Sequence, residues 1–284
     1  MTTRFKHTLP LLLLLIICIP GLASAHQPRI VQETQTVVVE PAISKAYYGQ
    51  LKGTPDIFTI VATSSFPLYV NVLVPDIPRQ QKDVSATITK DGQIVATLDG
   101  TQFTWKTMFE PFGYDNYFQG PEYKATAEAG TYVITVSSVS NDSKYSLAIG
   151  EAEKFDFKET KNALTLVPQL KRDFFEESPI NFILSPFGWS MILILYILAA
   201  AFGFAYRFIL KKLAKRSSVR KASHNIGTPD RLLRLLIGIG LLVWAITTTW
   251  SPILIFFSGF ALFESLFSWC GFYAAIGRST CPIE

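Results

Sequence analysis

The chain has 284 residues, 49% of them apolar, and a net charge of +4; it is long enough for two domains and too apolar for all of it to face water. Charge is unevenly spread, with 14 Lys and Arg against 19 Asp and Glu from His26 to Asn181, then 10 against 3 from Phe182 onward. Basic residues gathered beside an apolar run read as membrane topology and anionic-lipid contact, so no nucleic-acid partner is expected. With His26 alone between residues 26 and 181, His-based metal sites and Ser-His-Asp catalysis have no footing there.

Residues 1–25 have the plan of a secretory signal: Arg4 and Lys6, an apolar run from Leu9 to Ile19, then Ala23-Ser24-Ala25 as a small-residue cleavage site. Cleavage after Ala25 is the expectation, with an uncleaved anchor helix as the alternative. Cys18 follows Ile17, where a lipoprotein site wants a small residue, and reads as signal core. No cysteine lies between His26 and Asn181, so an exported domain there must rest on its own core.

From Ile30 to Glu151 the apolar period is two. Leu68, Val70, Val72 and Val74 alternate with outward positions, as do Val84, Ala86 and Ile88, then Tyr132, Ile134 and Val136. Asp91-Gly92 predicts a hairpin between Thr87–Lys90 and Gln93–Leu98, and Asn141-Asp142 turns the chain into Tyr145, Leu147 and Ile149. Short strands with one solvated face predict an antiparallel β-sandwich or jelly roll over residues 26–151.

Three stretches carry a family likeness: Tyr47-Tyr48-Gly49-Gln50-Leu51-Lys52-Gly53 leading to Asp56-Ile57-Phe58-Thr59-Ile60, Gly130-Thr131-Tyr132-Val133-Ile134-Thr135-Val136, and Tyr145-Ser146-Leu147-Ala148-Ile149. They resemble the pre-peptidase C-terminal (PPC) type of jelly roll. That resemblance implies an accessory module and transfers no catalytic residue.

The segment from Phe103 to Tyr123 holds more aromatics than a small core requires. Trp105, Phe109, Phe112, Tyr114, Tyr117 and Phe118, with Asp115 and Asn116 among them, are candidates for contacting an extracytoplasmic protein or glycan ligand, since Tyr and Trp give contact area at low entropy cost. The alternative is a long loop folded over the end of the sandwich with its aromatics tucked in. No D-x-D-x-D-G spacing is present, so no metal and no cofactor is expected. Residues 152–184 mix apolar and charged positions, and Pro168 argues against one long helix; a short stalk lying on the sandwich or on the membrane surface is expected.

Residues 185–210 carry no charge apart from Arg207 and predict a transmembrane helix, opened by Ser185-Pro186. Lys211, Lys212, Lys215, Arg216, Arg220 and Lys221 in a loop over 211–227 place that end in the cytoplasm. In residues 228–284, helices at about 230–250 and 252–270 are expected to form an antiparallel transmembrane hairpin with a cytoplasmic C-terminus. Asn225, Gly227, Asp230, Arg231 and Arg234, then Cys270, Tyr273, Gly277, Thr280, Cys281 and Pro282, make this segment resemble the two-helix transmembrane domain of YgaP-type rhodanese proteins. The resemblance implies that these helices can pair two copies of the chain. It carries no sulfur transfer, because no rhodanese domain is present. Gly271 stands where the family has Pro, so the helix is expected to run on past Cys270.

Cys270 and Cys281 are thiol candidates for redox, persulfide or shared-metal chemistry, or small residues closing a turn. Glu264 inside an apolar run needs a partner, and Arg234 on the facing helix is within reach. The expected fold is thus a membrane protein with an all-β exported jelly-roll or sandwich domain followed by three transmembrane α-helices, one single span plus a helical hairpin. No catalytic constellation emerges. The leading function is a non-enzymatic binding or sensing protein of the cytoplasmic membrane, the alternatives being a thiol-dependent membrane partner and a structural envelope protein.

Overall fold

The computed structural model describes residues 26–213 and 224–281; the expected signal segment, the basic residues from Lys215 to Lys221 and Pro282 lie outside the described residues. The chain divides at Ser185 and Pro186 into two compact units.

The first unit is a β-sandwich. One sheet has six strands in the order β1 (Gln27–Ile30), β3 (Lys45–Gln50), β11 (Lys144–Ile149), β5 (Phe66–Pro75), β9 (Asp115–Ala127), β8 (Lys106–Glu110). The other has five, in the order β2 (Gln35–Val37), β4 (Asp56–Ala62), β10 (Gly130–Ser137), β6 (Ser85–Lys90), β7 (Gln93–Leu98). The alternating residues of β5, β6, β10 and β11 all point into one core between the sheets, with Phe58 and Ile60 from β4. Asp91 and Gly92 both take positive φ, as the tight hairpin between β6 and β7 requires. Two pairings are parallel, β1 with β3 and β2 with β4; the antiparallel expectation missed them, because short edge strands carry little periodicity.

The residues of the PPC-like motif meet in space. The Tyr145 ring lies across Gly49, where a Cβ would sit 2.6 Å from ring atoms, and its hydroxyl donates to the buried Asp56 carboxylate at 2.7 Å. Gly49 is therefore a close-approach glycine, and Asp56 satisfies a hydroxyl that would otherwise be stranded in the core.

Residues 152–184 lie on the sandwich, but the break expected at Pro168 does not occur. Helix α1 (Phe157–Asp173) runs through Pro168 without a break. A proline inside a helix costs ~3 kcal/mol, and packing outweighs it: Leu170, Phe174 and Phe175 cluster with Leu73, Tyr117 and Ala148 on the outer face of the six-stranded sheet. Both ends are clamped, by Arg29 on Glu159 through two bonds of 2.9 Å and by Lys171 on Asp115 at 2.6 Å. A 3₁₀ turn (Pro179–Leu184) follows, anchored by the buried Phe182.

The second unit is helical: α2 (Pro186–Leu213), α3 (Thr228–Thr247), α4 (Pro252–Phe267) and α5 (Gly271–Ile276). Among the described residues α2 alone is long and apolar enough to cross a membrane, over Pro186–Lys212. Helix α4 has 16 residues, about 24 Å at 1.5 Å each, short of a ~30 Å hydrocarbon layer. The hydroxyl of Ser258 on α4 donates to Gly238 O on α3 at 2.7 Å and meets the Tyr196 hydroxyl of α2 at 2.8 Å, so one serine ties three helices. The continuation past Cys270 does not occur. Ser268 adopts a left-handed conformation and ends α4, and a separate short helix begins at Gly271.

Candidate functional site

Side chains at the middle of the six-stranded sheet's outer face are small: Ala46 on β3, Ser146 and Ala148 on β11, Asn71 on β5. Helix α1 borders that space through Val167 and Leu170. A cleft of about 240 Å³ results. Its walls are Tyr48, Tyr69, Met108 and Tyr117, and the turn of the β8–β9 hairpin, Glu110 to Gly113, forms one rim.

The polar groups of this cleft are the unusual part. Asn71 and Ser146 are 3% and 2% exposed. The Asn71 amide donates to Gly120 O and Pro121 O at 3.3 and 3.2 Å; among the described residues its side-chain oxygen meets no donor, and the Ser146 hydroxyl meets no partner. The Tyr48 and Tyr117 hydroxyls are 3.0 Å apart; one donates to the other and the second proton remains available. Burial pushes both phenols well above their ordinary range, so both stay protonated.

Two carboxyls stand at the rim. Glu110 accepts from the Phe112 and Gly113 amides, each at 2.7 Å, yet burial outweighs those bonds and pushes its carboxyl up to about 7. Asp115 is pushed up to about 6 by burial, even with the Lys171 ammonium beside it. Lys171 is fully buried and also donates to Tyr114 O at 2.8 Å. That cation is consumed, so the cleft offers neutral donors and acceptors and partly protonated acids.

The aromatic segment is a β-hairpin at the sheet edge, not a loop over the end of the sandwich. An alternating strand was hidden in it because its prolines and glycines fall at the turn and at the β9 kink. Its residues divide three ways. Phe109, Phe112, Asp115 and Tyr117 line the cleft. Trp105 and Phe118 pack against the inner core, with the Trp105 indole donating to Gly100 O at 2.8 Å. Tyr114 and Asn116 are exposed on the hairpin. The sequence reading missed Tyr48, Asn71 and Ser146. Their only signal is a polar or small residue at an outward position of a strand whose outer face a helix then covers.

In the helical unit a second polar cluster joins the residues of the YgaP-like pattern. The buried Asn225 side chain bonds both backbone groups of Cys270, donating to its O at 2.9 Å and accepting from its N–H at 2.7 Å. Gly227 N donates to the Thr280 hydroxyl at 3.0 Å, which donates to Asp230 at 3.2 Å. Asp230 accepts from Arg234 at 3.1 Å, and Arg234 forms an ion pair with the buried Glu264. Glu264 also accepts from Gly271 N at 3.3 Å. Cys270 is buried at the start of α5, its sulfur accepting from Tyr273 N at 3.5 Å; Cys281 is half-buried, and both thiols are free. Among the described residues no three His, Cys, Asp or Glu side chains are placed to share a metal. The cluster closes the ends of the helices on one another, and the peptide of Cys270 is the group it grips.

Comparison with curated proteins gives no match. Among solved structures, the β-rich part is similar to the pre-peptidase C-terminal domain of a collagenase from Bacillus anthracis, at 10% identity over 44% of this chain and 95% of that one, with a TM-score of 0.24. It is similar also to CorA, a surface-associated copper-binding protein of Methylomicrobium album BG8, at 7% identity over 44% of this chain and all of that one, TM-score 0.24. A third similar structure is the catalytic domain of a GH87 α-1,3-glucanase, at 15% identity over 43% of this chain and 27% of that one, TM-score 0.21. Residues 222–284 match the family model described as the transmembrane domain of inner membrane protein YgaP-like proteins, and with the apolar helix α2 this makes the chain a membrane protein.

Proposed function

We propose that the protein is a non-enzymatic binding module held in the cytoplasmic membrane, with its β-sandwich outside and the cleft under α1 as its ligand site. The observation that carries this reading is the pair Asn71 and Ser146, nearly buried residues whose free side-chain oxygens open onto the floor of the cleft without protein partners. A concave site with aromatic walls and a few convergent polar groups is the usual form of a small-molecule site. Free acceptors, a free tyrosine proton, aromatic walls and no unspent cation suit an uncharged, hydroxyl-rich ligand such as a glycan fragment. The topology proposed is three crossings, α2, α3 and α4, with the C-terminus inside. It is supported by Lys211 and Lys212 at the end of α2, by the further basic residues that follow in the sequence, and by the signal-like start of the chain.

The test is a melting-temperature screen of the detergent-purified full chain against neutral mono- and disaccharides. A saccharide that raises the wild-type melting point, and fails to do so in Ser146→Leu, supports the cleft as the site. Losing one neutral hydrogen bond in Ser146→Ala is expected to weaken binding by about 0.5–1.5 kcal/mol. Equal shifts in wild type and Ser146→Leu place binding elsewhere and refute the assignment.

A further inference from the structure

The tip of the β8–β9 hairpin exposes two large rings, Tyr114 in the turn and Phe109 at the end of β8, which also borders the cleft. Phe109 is 49% and Tyr114 42% exposed, and they stack edge to face with centroids 5.0 Å apart. Tyr114 also holds a left-handed backbone conformation, with φ of 62°. That region favours Gly or Asn, and a bulky residue there is an outlier of the strained kind that collects at binding sites. A glycine would make the same turn more cheaply, so the turn keeps the ring at a conformational cost.

The occupant of this surface follows from what the hairpin is tied to. Lys171 donates to Tyr114 O and lies 3.6 Å from Glu177. Glu177 accepts from the Asn181 side chain at 3.1 Å, and Asn181 belongs to the 3₁₀ turn Pro179–Leu184. An unbroken line of polar contacts therefore fastens the hairpin turn to the turn that stops one residue short of the membrane-crossing helix. Ile180 and Leu184 on that turn are exposed apolar side chains as well. A chain that enters the bilayer at Pro186 must have Leu184 at its surface.

We infer that the Phe109–Tyr114 tip seats in the lipid headgroup layer on the outer side of the membrane, together with Ile180 and Leu184. Aromatic rings with an apolar body and a polar edge are the residues that settle at that depth. The docked tip would hold the sandwich against the bilayer rather than let it swing on its tether.

The experiment uses the full chain with Cys18 and Cys281 changed to Ser, reconstituted in vesicles of phosphatidylethanolamine and phosphatidylglycerol. An environment-sensitive NBD label is placed at Tyr114→Cys, at Phe109→Cys as a second tip position, and at Val61→Cys on the outer face of the five-stranded sheet as reference. The tip labels are expected to emit further to the blue than the Val61 label and to be quenched by lipids carrying a nitroxide at the headgroup. Emission from both tip positions like that of the Val61 label overturns the inference. So does a blue-shifted tip label that lipid nitroxides fail to quench, because the ring would then be covered by a second copy of the chain.

Discussion

Lys171 is the side chain on which the docking of α1 most depends, and its removal gives a sharp test. Its ammonium is fully buried, donates to Asp115 at 2.6 Å and Tyr114 O at 2.8 Å, and lies 5.7 Å above the centre of the Phe175 ring. Lys171→Met keeps most of the packing and strands the Asp115 carboxylate. Breaking a buried pair from one side costs ~3–5 kcal/mol, whereas replacing both partners is close to neutral. Lys171→Met with Asp115→Leu still orphans the Tyr114 carbonyl, so a loss of about 1–3 kcal/mol is expected of the double variant. At roughly 2–4 °C per kcal/mol for a domain of this size, the single variant should melt about 6–20 °C lower at pH 7.5. The pH dependence separates this cause from lost packing. Burial holds Asp115 up at about 6 and Glu110 up at about 7, above the 3.8 and 4.5 of the free groups. A carboxyl raised on folding binds its proton more tightly in the native state, so its contribution is present at low pH and is lost as pH rises through the folded value. The wild-type melting point should therefore fall between about pH 4 and 7 from these two groups and level off above that. Lys171→Met removes the charge that held Asp115 down, so its deficit should shrink at pH 5, where Asp115 is protonated. Melting of the detergent-solubilised chain followed by near-ultraviolet circular dichroism reads this. An equal deficit at both pH values, or a double variant as unstable as the single one, refutes the reasoning.

In the helical unit, Arg234→Leu or Glu264→Leu alone should lower the aggregation temperature in detergent more than the double change does, with a one-sided cost below the ~3–5 kcal/mol of a soluble core because local water softens it; additive effects would mean the pair carries no coupling. Asn225→Ala removes both bonds to the Cys270 peptide and should cost about 1–3 kcal/mol, while Cys270→Ala leaves those bonds in place and should melt close to wild type. A thermal scan showing Cys270→Ala as the more damaging change would return the thiol to the centre of the account.

The sandwich was legible because its core-facing residues recur at every second position of the central strands. Val70, Val72 and Val74, or Tyr132, Ile134 and Val136, write the period of two directly into the sequence, and Asp91-Gly92 fixes a register. The edges were not legible. β1 and β2 are four and three residues long, and nothing local distinguishes a parallel from an antiparallel partner for so short a strand. Helix α1 was obscured by Pro168, whose local penalty argued for a break that the clamps at Glu159 and Lys171 and the packing of Leu170 override. In the helical unit Glu264 and Arg234 stood out as charges in apolar surroundings, whereas Ser268 gave no warning of the left-handed residue that ends α4.

The cleft was harder to see for a reason that follows from how it is built. A strand covered on both faces loses its alternation, so Ser146 and Ala148 between Tyr145, Leu147 and Ile149 read as the solvated side of β11. They are instead the floor of a cleft, because α1 returns over them from a segment later in the chain. The aromatic excess from Phe103 to Tyr123 falls on the hairpin beside the cleft and mixes three kinds of position within it. Trp105 and Phe118 serve the core, Phe112 and Tyr117 wall the cleft, Tyr114 faces outward, and Phe109 both borders the cleft and is exposed beside Tyr114. What sorts them is the two-residue period of the hairpin together with its turn at Pro111 to Tyr114. Lys171 binds the roles together, since one buried ammonium holds the helix over the cleft, neutralises Asp115 at its rim, and fixes the carbonyl of the outward-facing Tyr114. A change at the cleft rim should therefore be felt at the hairpin tip, and the proposed ligand binding under α1 and the proposed seating of Phe109 and Tyr114 in lipid would be two loads on the same side chain.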